Sequence, residues 1–261
     1  MRPDHFFTKF LTRPTMQSKA AVFCIILISV CGLTLISAQA DNLFWVGKFS
    51  ACRPGGDFPP GWEPLTFKKI DRHTRYELVR DGHEVVVKAI SDASSSGLIR
   101  KLTLDLKHFP IISWRWKIFN TYTKGDASRK QGDDYPARIY VTFAYDPEVL
   151  GFADLLKYKT AKLIYGEYPP GSAVTYIWAN RTPVGAILPN PYTERVRMIA
   201  VQSGNRHLNR WIQEERNLYQ DYQAAFGTRP PLISGVAIMT DSDDTREAAT
   251  AYYGDIVFKR R

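Results

Sequence analysis

Apolar positions recur along the chain in short runs separated by polar turn residues. The clearest are "FWVGKFS" (44–50), "RYELVRDGHEVVVKAIS" (75–91), "GLIRKLTLDL" (97–106), "IISWRWKIF" (111–119), "ARIYVTFAY" (137–145), "AVTYIWAN" (173–180), "ERVRMIAVQS" (194–203), "LISGVAIMT" (232–240) and "YYGDIVF" (252–258). Each is rich in β-branched and aromatic residues, and most are bounded by Gly, Pro, Asn or Asp, which predicts strands. The 75–91 run is interrupted by Asp81-Gly82, a dipeptide suited to positive φ, so it reads as a hairpin. Many short strands with turns between them predict a sandwich or barrel rather than a βαβ fold. One segment differs. In "HLNRWIQEERNLYQDYQAAFG" (207–227), Leu208, Trp211, Ile212, Leu218, Tyr219, Tyr222 and Phe226 fall at helical spacing, with Gly227 and then Pro230-Pro231 as a stop. The pattern predicts an amphipathic helix there and a second, weaker one over 146–166.

The N-terminus has a different pattern. Arg2, Lys9, Arg13 and Lys19 precede the apolar run "AAVFCIILISVCGLTLIS", which ends at Ala38-Gln39-Ala40. A basic leader, an apolar segment and small residues before a cut predict a secretory signal peptide over 1–40. The other reading is an uncleaved anchor, since the run is just long enough to span a bilayer. Cleavage after Ala40 leaves one domain over 41–261 with no membrane span. It also removes four of the 35 Lys/Arg and one of the 26 Asp/Glu, so the net charge falls from +9 to +6. The remaining basic residues are scattered, and neither the charge pattern nor export fits a nucleic-acid partner. Cys24 and Cys31 leave with the leader, so Cys52 has no partner for a disulfide. The Pro/Gly-rich stretch 53–64 reads as a long loop within that single domain.

Five stretches, "ISWRWK" (112–117), "GDDYPARIYVTF" (132–143), "TYIWAN" (175–180), "ERNLYQDY" (215–222) and "MTDSDDT" with "YYGDI" (239–256), occur in order through the chain. On these the sequence resembles the family of exported bacterial proteins known as domain of unknown function 3047 (DUF3047). That family has no settled activity, so the resemblance implies no catalytic residues. The strand pattern is also similar to jelly-roll sandwiches of the galactose-binding, carbohydrate-binding-module type. Their closing strand often carries an acidic residue, a position that Asp255 would occupy here.

Several constellations carry chemistry. Trp114 and Trp116 share one strand face and form either an aromatic platform or core, while Arg115 lies on the other face. If the indoles are core, Arg115 points into the concave side, beside Arg138 and Tyr140 of a neighbouring strand, and two arginines there suit a carboxylate, sulfate or phosphate. Pairing of these arginines with Asp133, Asp134 or Glu215 is the alternative. Tyr176 and Trp178 offer a second stacking surface or a second piece of core. The cluster Asp241, Asp243, Asp244 with Asp255 is a candidate hard-cation site, calcium being the ion that oxygen-only donors suit. It is not an EF-hand loop, because Thr245, Arg246 and Tyr252 occupy the fifth, sixth and twelfth positions. The other reading is a capped helical turn at "DDTREAATA". Zinc is disfavoured, since the histidines show no paired spacing. Nucleophile-elbow, phosphate-loop and zinc-protease motifs are missing.

The sequence therefore predicts an exported, mainly all-β, jelly-roll-like β-sandwich with one prominent amphipathic helix. Its leading function is non-catalytic binding of a polysaccharide or anionic glycan through Arg115, Arg138, Tyr140, Tyr176 and Trp178. The alternatives are a glycan-acting enzyme drawing on Asp133, Asp134, Glu214, Glu215 or Asp241, and a structural partner of envelope proteins.

Overall fold

The apolar runs form two facing sheets in a computed structural model, which describes residues 42–56, 58–145 and 170–261. Residues 42–261 make up one unit. Its strands are β1 (Leu43–Gly47), β2 (Glu63–Leu65), β3 (Arg75–Asp81), β4 (Glu84–Asp92), β5 (Ser95–Leu104), β6 (Ile111–Ile118), β7 (Arg138–Phe143), β8 (Ser172–Ala179), β9 (Ile187–Asn190), β10 (Thr193–Ser203), β11 (Ile212–Asn217), β12 (Ile233–Asp241) and β13 (Ala248–Lys259). A helix, α1 (Leu218–Phe226), lies between β11 and β12. The expected β-sandwich is what forms, and no described helix is long and apolar enough to cross a membrane.

The first sheet has the order β11-β6-β13-β4-β3. The long β13 pairs with β4 along its first half and with β1 along its second. The change comes at Gly254-Asp255, where the register with β6 shifts between Tyr253 and Ile256. Glycine is needed there, because Arg115 lies across the bulge: a Cβ on Gly254 would sit 2.5 Å from the Arg115 Cγ. The second sheet runs β2-β5-β12-β7-β8-β10-β9, with β8 and β10 parallel. Its edge strands β2 and β9 contain Pro64 and Pro189, which edges tolerate and which hid both strands from the sequence pattern. In the β3–β4 hairpin Asp81 pairs with Glu84, so the turn residues are Gly82 and His83, one position later than expected. Gly82 has φ +62°, as a glycine-first hairpin turn requires.

The core settles which indoles are buried. Trp114 and Trp116 of β6 face Tyr176 and Trp178 of β8 across the sandwich, with ring centroids 4.9 Å (Trp114–Tyr176) and 5.9 Å (Trp116–Trp178) apart. All four side chains are fully buried. The Trp114/Trp116 pair is core rather than a platform.

The helix is shorter than its periodicity predicts. Residues 212–217 are strand β11, antiparallel to β6, and the helix begins only after Asn217, whose Oδ1 accepts the Gln220 N–H at 3.1 Å. Gly227, at φ +73°, ends it. Pairing with β6 satisfies the backbone of 212–217 and overrides the local helical spacing. Trp211, expected in the helix stripe, instead lies under Arg115, 4.5 Å from guanidinium carbon to ring centroid. Tyr222 packs on Phe143 at 4.5 Å. The helix expected over 146–166 lies outside the described residues.

Removing a ring at this interface leaves a large void. Trp116→Ala is expected to lose about 3–5 kcal/mol of stability, read as a lower urea midpoint at unchanged slope.

Candidate functional site

Strand β7 turns Ile139, Val141 and Phe143 into the core, which leaves Arg138, Tyr140 and Thr142 on the outer face of the second sheet. Met239 of β12 lies opposite Arg138, and Asp241 at the end of β12 lies opposite Ser95 of β5. A cleft of about 690 Å³ opens over these residues. Its walls are the turn 66–70, Asn190 at the end of β9 with Tyr192 of the turn that follows, and Asp243 and Asp244 just past β12.

Arg138 organises the cleft floor although it is only 2% exposed. Its Nε donates to Asp241 Oδ1 at 2.8 Å and its Nη1 to the Tyr140 hydroxyl at 3.0 Å. Its Nη2 contacts Asp241 Oδ2 and the Asp133 carbonyl, and Nη1 lies 3.6 Å from Asp133 Oδ2. Burial alone would disfavour the charged guanidinium, and the surrounding Tyr140, Asp133 and Asp134 more than reverse that. Asp133 also accepts from Asn190 at 2.8 Å. Next to it, Asp134 is fully buried, and its Oδ2 accepts the Thr245 N–H at 2.5 Å. Burial pushes the Asp134 carboxyl up, against the pull of Thr245. Tyr192, 54% exposed, donates its hydroxyl to Asp244, with O–O distances of 3.0 and 2.9 Å. Burial, with the charges of Asp134, Asp243 and Asp133, pushes Asp244 up to about 6 against that hydrogen bond.

The sequence candidates divide. Arg138, Tyr140, Asp241, Asp243 and Asp244 meet in the cleft. Arg115 does not join them: it belongs to the first sheet, where it pairs with Glu84 and covers Trp211. The two arginines therefore form no anion receptor, and Arg138 is already neutralised by Asp241 and Asp133. Tyr176 and Trp178 cannot stack on a ligand from the core, where the Tyr176 hydroxyl donates to Asp221 at 2.7 Å and Trp178 Nε1 to the Gly204 carbonyl at 3.1 Å. Asp255 sits in the β13 bulge of the first sheet and accepts Ser50 N–H and O–H at 2.8 and 2.6 Å. The acidic group that forms contains neither Asp255 nor Asp244, which accepts from Tyr192, and includes Asp134 instead: one carboxylate oxygen each from Asp134, Asp241 and Asp243 lies within 4.8 Å of the others.

Of the capped helical turn only one turn forms, closed by Arg246 N–H donating to the Ser242 carbonyl at 2.9 Å; Thr245 N–H is held by the distant Asp134 rather than by a local cap, and the chain is strand again from Ala248. Glu214 and Glu215, weighed as catalytic acids, lie on β11 of the first sheet, bonded to Gln202 and Lys259. Cys52 is half-buried, and burial together with the Asp255 charge pushes its thiol up, away from reactivity. The sequence reading missed Tyr192, Asn190 and the turn 66–70. Only the turn-forming "PNPY" (189–192) marks two of them, and no local pattern brings a turn over a distant sheet.

Arg138→Met should lose roughly 3–5 kcal/mol in chemical denaturation, because it leaves Asp241 and Asp133 as buried charges without the guanidinium that neutralises them.

Among solved structures, the chain is similar to the K1 cleaved adhesin domain of Lys-gingipain from Porphyromonas gingivalis W83, at 10% identity and TM-score 0.36, covering 84% of this chain and 98% of that one. It is also similar to the carbohydrate recognition domain of Emp47p, at 13% identity and TM-score 0.42, covering 85% and 99%. No curated protein matches the sequence. The family model described as "Protein of unknown function (DUF3047)" matches residues 60–257, most of the chain, and the protein belongs to that family.

Proposed function

We propose that this protein is an exported, non-catalytic envelope protein that binds a glycan in the cleft on the outer face of its second sheet. Export is supported by the basic leader, the apolar run and Ala38-Gln39-Ala40. The observation that carries the binding reading is the composition of the cleft. Carboxylates of Asp133, Asp241, Asp243 and Asp244 line it together with Asn190, the phenols of Tyr140 and Tyr192 and the ring of Phe67. Carboxylates and amides accept and donate to pairs of sugar hydroxyls, and aromatic rings receive the C–H face of a sugar ring. Tyr192 and Phe67 are both more than a third exposed, so their rings are open to a ligand. Arg138 is spent on Asp241 and Asp133, so the floor itself offers an anion nothing; Lys68 and Lys69 stand in one wall, but the four carboxylates favour a polyhydroxylated ligand that is neutral where it meets the aspartates.

An array of neutral and acidic bacterial glycans tests this. Selective binding of neutral glycans is expected, weakened about tenfold by Tyr192→Ala, a loss of about 1.4 kcal/mol, with unchanged thermal unfolding. Arg115→Ala should leave binding intact. Binding confined to acidic glycans, or indifferent to Tyr192→Ala and lost in Arg115→Ala, contradicts the assignment.

A further inference from the structure

The Asp134 carboxylate is buried without full compensation. The residue is 0% exposed, its Oδ2 takes the Thr245 N–H, and its Oδ1 has no hydrogen-bond partner. An ionised oxygen left bare in the interior is costly unless a cation or donor meets it. No such donor reaches Oδ1, and two further carboxylates stand beside the Asp134 side chain. One oxygen each from Asp134, Asp241 and Asp243 lies within 4.8 Å of the others. Two oxygens bound to one calcium ion, each about 2.3–2.6 Å from it, are at most about 5 Å apart. The three oxygens fall inside that limit.

We infer that Asp134, Asp241 and Asp243 form a divalent-cation site, with calcium the ion they suit best. The donor set contains only carboxylate oxygens, without His or Cys, which selects a hard cation over zinc. The three residues come from different parts of the chain: the loop before β7, the end of β12 and the turn after it. Calcium tolerates such irregular geometry and completes its shell with water and carbonyls, whereas magnesium demands a near-ideal octahedron. Arg138 already binds both oxygens of Asp241. Oδ1 also accepts the Tyr135 N–H at 3.3 Å, whereas Oδ2 meets only the guanidinium among the described residues and keeps a second lone pair, so a cation can share Asp241 with Arg138 through Oδ2. The ion would tie the turn 242–245 to the loop 133–137 and so fix one wall of the cleft. The site stands on its own ligands and does not depend on what the cleft binds.

The test is calorimetric titration of the chelator-stripped, purified protein with calcium chloride and, separately, magnesium chloride, beside thermal unfolding in each salt and in chelator. Saturable binding of one calcium ion and a higher melting temperature in calcium are expected, with magnesium weaker. Asp243→Asn, at a half-buried turn position, should fold as the wild type in chelator and weaken calcium binding by about tenfold or more. Asp255→Asn should leave affinity unchanged. Asp134→Asn should also abolish binding; if it does not fold, Asp243→Asn decides alone. Absence of heat and of any thermal shift at millimolar calcium overturns the site, and so does full affinity in Asp243→Asn.

Discussion

The outer face of the second sheet is arranged around one buried guanidinium. Arg138 enters β7 with almost no exposure and holds both oxygens of Asp241 at the end of β12 and the backbone of Asp133. A charge in that position persists only when its donors are nearly all satisfied, and satisfying them fixes the segments that supply the acceptors. From there the constraint spreads. The loop that carries Asp133 also places Asp134, whose side chain holds Thr245 N–H and whose carbonyl accepts Asn180 Nδ2 at 2.8 Å. Asn180 in turn accepts the Tyr122 N–H at 2.8 Å and presses so closely on Gly125 that a Cβ there would meet its Nδ2 at 2.0 Å. Segments far apart in sequence are locked at one end of the sheet, and the cleft is the space they leave.

The two faces of that sheet do different work because of the strand period alone. Inward, Ile139, Val141, Tyr176 and Trp178 meet the indoles of β6 in a dry aromatic core. Outward, Arg138, Tyr140 and Asp241 share the polar floor of the cleft, the first and last of them almost without exposure. A shift of one residue in β7 would exchange Arg138 with Ile139 and place an arginine among tryptophans. The core therefore enforces the register that the cleft needs, and the ion pair enforces it again from the other side.

Much of this order was legible in the sequence, and the failures have a common cause. The strands were readable because β-branched and aromatic runs bounded by turn residues reflect local preference. Sheet membership was not, because it is set by partners distant in sequence. Arg115 and Arg138 look like neighbours in a pattern of adjacent strands, yet β6 pairs with β13 and β11 whereas β7 pairs with β12 and β8. The same non-locality brought Asp134 into the acidic cluster and left Asp255 out of it, on the other sheet, while Asp244 turned to Tyr192. It also turned 212–217 into a strand despite its helical spacing, since the open edge of β6 supplied hydrogen bonds that the local sequence could not announce. Aromatic alternation showed which residues share a face but not which face is wet: Tyr176 and Trp178 look as suited to a sugar as Tyr140 and Tyr192, and only the packing of the second sheet on the first separates them.

The proposed ligand recognition on the outer face of the second sheet is tested most directly by backbone amide chemical-shift mapping of the isotopically labelled protein, titrated with pools of neutral bacterial oligosaccharides. Perturbations are expected at residues 66–70, 138–140, 190–192 and 241–244, with Trp211 and Tyr252 on the other sheet unmoved. Perturbations that cluster around Arg115, Trp211 and Tyr252 and spare the cleft would contradict it.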